Sequence, residues 1–321
     1  MGIEPDHLYL RAISETSRRL RIYEPMRRVM ARIFGGYVLV FHDLFAGDYV
    51  RIIEALEPDK PVGLCELLER VKEGRSTAGL FAITVDDGVG DTARALAVAS
   101  IERKWPVTFF LPTGYLDRTH EMYFMTWRNV LPYLQGATLR LGAEEIDLRR
   151  PRHFREFVAR MRHQRHTRPR QEHGIAVMEA VKHVIDAGLA SETDLAPPEP
   201  VDWQTVAALS RSEYISFESH GVSHTAAVAL SDEELTRELL HSRYRISEHT
   251  GRPVRCFAYP FGTPVAINER VRNVARRHYE WSVTDLRGRL NHCDRGAVPR
   301  IPVYARDLNS MVVQLKVLTA T

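Results

Sequence analysis

The chain has 321 residues, of which 44% are hydrophobic and 26% are charged. This length can bury a sizeable core in one large α/β domain or two smaller ones, and this composition excludes the disordered and fibrous classes of protein. The formal net charge of +3 is too small to indicate nucleic-acid binding by the whole protein.

Cysteine spacing and the first residues bear on the cellular compartment. Cys65, Cys256 and Cys293 show no CxxC spacing, so the sequence indicates neither a thiolate zinc site nor a disulfide framework. Residues 1–21 have early acidic residues and no continuous apolar segment, and no run of 18 apolar residues occurs in the chain. We therefore predict a cytoplasmic protein without a signal peptide or a membrane span.

The first part of the chain predicts a helix, a strand and a second helix. Residues 8–34 carry apolar residues at helical spacing among many arginines, so the basic face of this helix is either simply solvated or contacts anionic lipid. A buried strand is predicted within residues 35–44 and an amphipathic helix over 61–72.

From residue 79 onward, strands and helices alternate. The pattern predicts strands at 80–85 and 107–111 with a helix over 91–104 between them. Such alternation favours parallel βαβ units, and ligands gather at the carboxyl ends of their strands. The sequence TVDDG, residues 84–88, lies at one such end.

Residues 128–202 interrupt the alternation and predict a mostly helical insertion. This segment contains an Arg/His-rich stretch at 149–173, with nine arginines, four histidines and two acidic residues, and a helical pattern over 174–190. After residue 202 the alternation resumes, with a helix that begins at a capping box of Ser231 and Glu234. Later strands are predicted near 214–219, 255–260, 281–285 and 300–304.

Two adjacent carboxylates and a histidine pair suggest a metal site. The carboxylates of Asp86 and Asp87 repel each other. A solvated turn tolerates this repulsion. The pair is useful where one carboxylate binds a cation and the other carboxylate stays free as a base. His220 and His224 are four residues apart, but such a pair also arises by chance among 14 histidines as two loop residues. Two imidazoles with one carboxylate form a ligand set typical of catalytic zinc, with room for a water molecule.

Five segments in this order resemble the polysaccharide deacetylase family, with its NodB homology domain (carbohydrate esterase family 4). They are TVDDG, VTFFLPTGYLD, ESHGVSHTAAVALSDEEL, CFAYPFG and VPRIPV, and the resemblance extends over about residues 36–306. It implies an α/β fold, a distorted (β/α) barrel over 36–321 that contains the insertion 128–202, after an N-terminal helical extension at 1–35. It also implies metal-dependent removal of acetyl groups from N-acetylated sugars.

The resemblance assigns a role to each motif residue. Asp86 would be the general base, and Asp87, His220 and His224 would hold a divalent metal ion, zinc first, with Co²⁺, Mn²⁺ or Ni²⁺ as alternatives. A water on that ion would be the nucleophile once Asp86 takes its proton. The backbone N–H of Phe261 would donate to the oxyanion, although Tyr-Pro-Phe-Gly also fits a plain turn after a strand.

The proton donor to the leaving amine is expected to be a histidine near the C-terminal strands. His292 is the nearest candidate, although it also fits a histidine in a surface loop. His42, after the first strand, is a second candidate. Three positions depart from the family pattern: Gly221 follows the first metal histidine, Glu218 replaces a glycine, and Ala258 stands where the family has an arginine that orients the base. Arg300 in VPRIPV is a candidate substitute for that arginine.

The predicted substrate is an acetylated sugar or a carrier-linked sugar in a biosynthetic pathway. The stretch 149–173 is either a solvated helix face or a site for a diphosphate, nucleotide sugar or lipid headgroup, contacted by arginines such as Arg149, Arg150 and Arg152. Alternatives are a hydrolase of a non-sugar amide, a non-catalytic carbohydrate-binding protein on the same fold, and a peripheral membrane protein. Nucleic-acid binding is disfavoured because aromatic residues do not interleave the basic segments. The sequence predicts no oligomeric state.

Overall fold

Eight parallel strands form one curled sheet. The computed structural model describes residues 35–42, 45–57, 59–167 and 170–303, so the helix predicted over 8–34 lies outside the described residues. The strands of this sheet are β1 (Tyr37–Phe41), β2 (Lys60–Pro61), β3 (Leu80–Val85), β4 (Val107–Leu111), β7 (Ile215–Ser219), β8 (Cys256–Ala258), β9 (Trp281–Val283) and β10 (Ile301–Pro302). Their order in the sheet is β10-β1-β3-β4-β7-β8-β9, and the short β2 also pairs with β3.

The two edges of the sheet approach each other through the segment that leads into β10. Val283 at the end of β9 forms a parallel bridge with Val298, and β10 pairs with β1. The sheet therefore curls into a distorted (β/α) barrel, which confirms the predicted fold class.

Helices connect the strands and cover the outer face of the sheet. They are α1 (Ala46–Glu54), α2 (Leu64–Lys72), α3 (Gly90–Arg103), α4 (Thr113–Leu116), α5 (Tyr123–Leu134), α6 (Pro151–Thr167), α7 (Arg170–Asp186), α8 (Glu192–Leu195), α9 (Trp203–Leu209), α10 (Asp232–Thr250) and α11 (Glu269–His278). The predicted capping box is confirmed, because the Ser231 hydroxyl accepts from the Glu234 N–H and the Glu234 carboxylate accepts from the Ser231 N–H.

Alternation along the strands separates two cores. Successive side chains of a strand point to opposite faces, so one set packs outward against α1, α3 and α10 while the other fills the barrel. The interior set packs against three leucines of α2, Leu64, Leu67 and Leu68, at the amino ends of the strands. The opposite end, where the strands finish, is left for the polar residues.

Between β4 and β7 the chain forms the α5–α8 segment, residues 121–200, with its own hydrophobic core. Trp127, Val130, Phe157 and Val177 are among the buried residues of this core. Besides the predicted helices the segment contains an antiparallel hairpin of β5 (Thr138–Leu141) and β6 (Glu144–Asp147). The sequence analysis missed this hairpin because its two strands are short and partly exposed. Within the described residues no helix combines the length and apolar character that a membrane span needs.

Candidate active site

The turn after β3 aims its two carboxylates in different directions. The Asp86 N–H donates to the Phe41 carbonyl at 2.9 Å, so the pairing with β1 extends one residue past the strand. Asp87 then adopts a left-handed conformation with φ of 73°, and Gly88 follows with φ of 63°. Such positive φ values are uncommon for a residue with a side chain and are found where the surrounding structure fixes them.

The loop after β7 brings the two histidines to the same place. The His220 N–H donates to the Leu111 carbonyl at 3.0 Å, and its ring Nδ1 lies 2.8 Å from the Ala258 carbonyl. That contact makes Nδ1 the protonated nitrogen and leaves Nε2 with a free lone pair toward Asp87. His224, with φ of 54°, closes the loop so that its Nε2 also faces Asp87.

Glu238 of α10 holds the loop between the two histidines. Its Oε2 accepts from the N–H of Val222 at 2.6 Å and from that of Ser223 at 2.9 Å. Gly221 has φ of 79°, and a Cβ there would lie 3.1 Å from the same Oε2. The departure from the family pattern at Gly221 therefore has a structural reason, since this loop needs both a positive φ and a close carboxylate.

Asp87, His220 and His224 form a cluster of three buried metal-capable donors. Each offers one ligand atom within 4.8 Å of the others, and Asp87 Oδ1 lies 3.2 Å from His224 Nε2 and 3.6 Å from His220 Nε2. Despite these short distances Asp87 Oδ1 accepts no well-aligned hydrogen bond from the described residues. Buried polar atoms are normally paired, so an unpaired carboxylate oxygen beside two imidazole nitrogens fits the binding of a divalent metal ion. Two histidines and one carboxylate are the ligand set of a catalytic zinc site.

The charges in the cluster shift the pKa of each member. Burial raises the pKa of Asp87, but the adjacent imidazoles outweigh burial and hold it well below its usual range. Burial lowers the pKa of His220, but Asp86 and Asp87 reverse the direction, so the pKa is raised. For His224 burial prevails and the pKa is lowered.

Arg300 fixes the second carboxylate. Its Nη1 and Nη2 donate to Asp86 Oδ1 at 2.8 Å and Oδ2 at 2.7 Å, and Nη2 also donates to Asp285 Oδ1 at 2.9 Å. Arg300, directly before β10, thus makes to Asp86 the contact expected of the arginine that Ala258 replaces. Burial raises the pKa of Asp86, but the guanidinium of Arg300 outweighs it, so the pKa is lowered and Asp86 is ionised near neutral pH.

Phe261 lies against the metal-capable cluster in a strained backbone conformation. Its φ is 66°, and its ring makes an edge contact with His224 at 4.7 Å between centroids. Its backbone N–H donates to none of the described residues. This N–H is therefore available to a ligand, in agreement with the oxyanion role that the resemblance implies.

The structure does not bring His292 to this cluster. His292 is exposed in a 3₁₀ turn, Leu290–His292, that packs against α2 at the amino ends of the strands. His42 instead follows β1 at the carboxyl end, and its imidazole is among the groups that lower the pKa of both Asp86 and Asp87.

Glu218 points into the barrel below the site rather than toward the ligand. Its Oε2 accepts from the N–H of Arg255 at 2.8 Å and of Cys256 at 2.6 Å. The Sγ atoms of Cys65 and Cys256 lie 3.8 Å apart beside it, both as free thiols. Burial raises the pKa of Glu218 well above its usual range. Sequence spacing could not predict this grouping of Cys65 and Cys256, since the two are 191 positions apart.

Several residues next to the cluster escaped the sequence analysis. Phe124 of α5 stacks on His224 at 4.7 Å, and Arg165 of α6 lies over the Phe261 ring at 4.3 Å. Both come from the α5–α8 segment, so no strand-end pattern points to them. The composition of the 149–173 stretch was the available signal, but it does not separate Arg165 from the exposed Arg152.

The sequence matches the model of a known protein family. The sequence model for polysaccharide deacetylase matches residues 73–279, which include the DD turn and both histidines. The chain belongs to the polysaccharide deacetylase family. No curated protein matches this deacetylase significantly in sequence.

Solved deacetylase structures share the fold at low sequence identity. The Streptococcus pyogenes deacetylase PplD, in complex with acetate, has a TM-score of 0.55 at 11% identity and covers 88% of this chain and 98% of its own. IcaB from Ammonifex degensii has a TM-score of 0.55 at 15% identity, with 88% and 97% covered. The BpsB deacetylase domain from Bordetella bronchiseptica has a TM-score of 0.52 at 15% identity, with 84% and 96% covered. The likeness establishes the barrel fold of this deacetylase.

Proposed function

We propose that this deacetylase is a metal-dependent hydrolase that removes an N-acetyl group from an amino sugar or a glycan precursor. The observation that carries the proposal is the buried Asp87, His220 and His224 cluster beside an ionised Asp86 that Arg300 holds. Membership of the family supports an acetylated polysaccharide or a related acetylated sugar as the substrate class. The cytoplasmic location and the carrier-linked form of the sugar remain predictions from the sequence.

Asp87, His220 and His224 would hold the metal ion. When bound there, a divalent ion would polarise the acyl carbonyl and make a water molecule more acidic. The contact of His220 with the Ala258 carbonyl orients the imidazole for this purpose, and Glu238 holds the loop that carries His224.

Asp86 is the general base in this mechanism. It is ionised, buried and held by Nη1 and Nη2 of Arg300, so its carboxylate has one orientation. An ionised carboxylate next to the cluster can take the proton of the attacking water. The adjacent pair is needed because Asp87 would be neutralised by a bound metal ion, whereas Asp86 would keep its lone pairs for the proton.

The Phe261 backbone N–H would donate to the oxyanion that forms on the acyl oxygen. Of the two histidines considered as proton donor, His42 follows β1 at the end of the barrel that carries the cluster, so we assign it the transfer of a proton to the leaving amine. His292, at the other end of the barrel, takes no part.

Acetate release tests the proposal. We would assay zinc-loaded protein against free, nucleotide-linked and lipid-linked N-acetylhexosamines and an N-acetylated oligosaccharide, beside Asp86→Asn and His42→Gln. We expect release from at least one member and a loss of at least about 100-fold in Asp86→Asn with bound metal unchanged. His42→Gln should lose kcat with KM retained.

Two outcomes would reject parts of the proposal. Full turnover in Asp86→Asn would reject the base assignment. No release from any panel member by wild-type protein with one bound metal ion would reject the N-acetyl-sugar substrate class.

A further inference from the structure

A cleft opens beside His224 toward the α5–α8 segment. It is lined by Ser223, His224 and Thr225 of the loop after β7 and by Arg165, Arg170 and His173 of the segment. Phe124 and Phe261 form its apolar walls. Small-molecule sites have this composition, with apolar walls and a few converging polar groups.

Arg165 brings a positive charge to this cleft without a carboxylate partner among the described residues. Its guanidinium lies over the Phe261 ring, and its Nε is buried and donates no hydrogen bond. Burial, together with the charge of Arg162, lowers the pKa of Arg165 to about 10, so it remains cationic at neutral pH. Since removing a cation from water without a counter-charge costs folding free energy, the half-buried Arg165 favours an anion brought by a ligand.

His173 adds a second unused polar group to the same cleft. Its side chain is 6% exposed, and neither Nδ1 nor Nε2 has a hydrogen-bond partner in the described residues. Buried polar atoms are otherwise nearly always paired. An imidazole N–H beside a guanidinium can complete the hydrogen bonds of a bound oxyanion.

Gly174 allows α7 to bring His173 and Arg170 to the cleft. A Cβ at Gly174 would lie 2.4 Å from the Tyr123 ring, so only glycine lets α7 pack this closely on α5. Arg170 lies over the same ring at 4.6 Å and donates to the Glu121 carbonyl at 2.5 Å.

Resting on the proposed function, we propose that Arg165 and His173 bind an anionic group, a phosphate or a carboxylate, that the acetylated substrate carries near its acyl group. The site therefore selects acidic sugars, such as sugar phosphates or uronic acids, over neutral ones. Glu121 is the acidic residue among those that line the cleft, and it lies exposed at the rim. The arginines that the sequence pointed to are elsewhere, since Arg149 and Arg152 are exposed and paired with Asp147 and Glu156.

Binding of inorganic phosphate to metal-free protein tests the site independently of catalysis. We would measure the Kd of phosphate by calorimetry for wild type, Arg165→Met, His173→Phe and Arg152→Met. Arg152→Met is the matched control, because it removes the same charge from an exposed position on the same helix. We expect Arg165→Met to weaken phosphate at least about 10-fold, as the loss of charge-assisted hydrogen bonds implies, and Arg152→Met to leave it unchanged.

The source of the anion is distinguished by a second titration with glucuronate in place of phosphate. Tighter binding of phosphate indicates a phosphorylated sugar, and tighter binding of glucuronate indicates a uronic acid. If wild-type protein binds neither phosphate nor glucuronate with a Kd below about 5 mM, on the scale on which 1 mM is already weak binding, the proposal is overturned. It is also overturned if Arg152→Met and Arg165→Met weaken binding equally.

Kinetics then connect the site to selectivity. We would compare kcat/KM for N-acetylglucosamine 1-phosphate with kcat/KM for the neutral methyl glycoside of N-acetylglucosamine. Arg165→Met should lower the ratio of the two values at least about 10-fold by raising KM for the phosphate, with turnover of the neutral sugar retained. Arg165→Lys should recover part of the ratio, because it keeps the charge and loses the planar fork. Loss of turnover for both sugars in a folded Arg165→Met protein would assign Arg165 to the reaction itself and overturn the selectivity role. Failure of the proposed function would show separately, as full turnover in Asp86→Asn.

Discussion

Arg300 determines the geometry of the proposed base. It is 1% exposed and donates to Asp86, Asp285 and the Thr284 carbonyl, so a single side chain connects the turn after β3 to the segment after β9. Removing one member of such a buried network leaves the others unpaired. Arg300 is therefore a positioning residue that acts through Asp86.

We expect Arg300→Met to lower kcat by about 100-fold or more and to reduce the free energy of unfolding by about 3 to 5 kcal/mol, because Asp86 and Asp285 would be left as buried unpaired charges. Steady-state kinetics and urea unfolding measure the two effects. The double variant Arg300→Met/Asp285→Asn should recover part of the stability and none of the activity. Activity close to wild type in Arg300→Met would show that Asp86 needs no guanidinium partner.

At the residue scale, local pattern predicted the residues that follow strands directly. Asp86, Asp87, His220 and His224 converge because parallel strands end at one edge of the barrel. Arg300 was only a candidate, since its approach to Asp86 spans 214 positions that no local pattern constrains. His292 was placed by analogy with the C-terminal strands, and its 3₁₀ turn lies at the other end of the barrel.

At the element scale, α10 supports the loop that carries His224, a role that its own sequence does not predict. Its capping box was predictable because Ser231 and Glu234 act within one turn. The contacts of Glu238 with the Val222 and Ser223 N–H groups depend instead on how α10 packs on the loop after β7. The proximity of Cys65 to Cys256 was missed for the same reason, whereas the β5–β6 hairpin was missed because its strands are short and partly exposed.

We expect Glu238→Ala to weaken zinc affinity by about 10-fold to 100-fold, because the two N–H groups that position His224 lose their acceptor. Glu238→Gln should lose less, since its amide oxygen can still accept. Competition with a fluorescent chelator measures the affinity, with Glu233→Ala, exposed in the first turn of α10, as the control. Equal zinc affinity in Glu238→Ala and Glu233→Ala would remove Glu238 from the support of the site.

At the scale of the whole molecule, two buried histidines of the α5–α8 segment, one of which lines the cleft, make the stability of the protein depend on pH. Burial, with Arg165 nearby, lowers the pKa of both His166 and His173 to about 4. Both are neutral in the folded protein at pH 7, whereas unfolded histidine titrates near pH 6.5. Below pH 6.5 the unfolded chain binds protons at these histidines more readily than the folded protein does. The free energy of unfolding is therefore highest above pH 6.5 and decreases as the pH falls from about 6.5 to about 4.

We expect the free energy of unfolding to decrease between pH 7 and pH 4, by up to about 3 kcal/mol for each of these histidines. His173→Phe should remove its share and flatten the pH dependence. Urea unfolding at pH 7, 6, 5 and 4 measures this, with His163→Gln, exposed on α6, as the control. Identical slopes in His173→Phe and wild type would exclude His173 as a source of acid sensitivity.

The α5–α8 segment has a core separate from that of the barrel, yet it supplies one wall of the cleft at His224. The barrel carries the groups proposed for bond cleavage, and the segment carries those proposed for recognition. Selectivity can consequently be re-engineered apart from chemistry, provided that Phe124, which stacks on His224, is kept. A chimera that exchanges residues 121–200 for the corresponding segment of another deacetylase should change which sugar is accepted while the hydrolytic apparatus stays as it is.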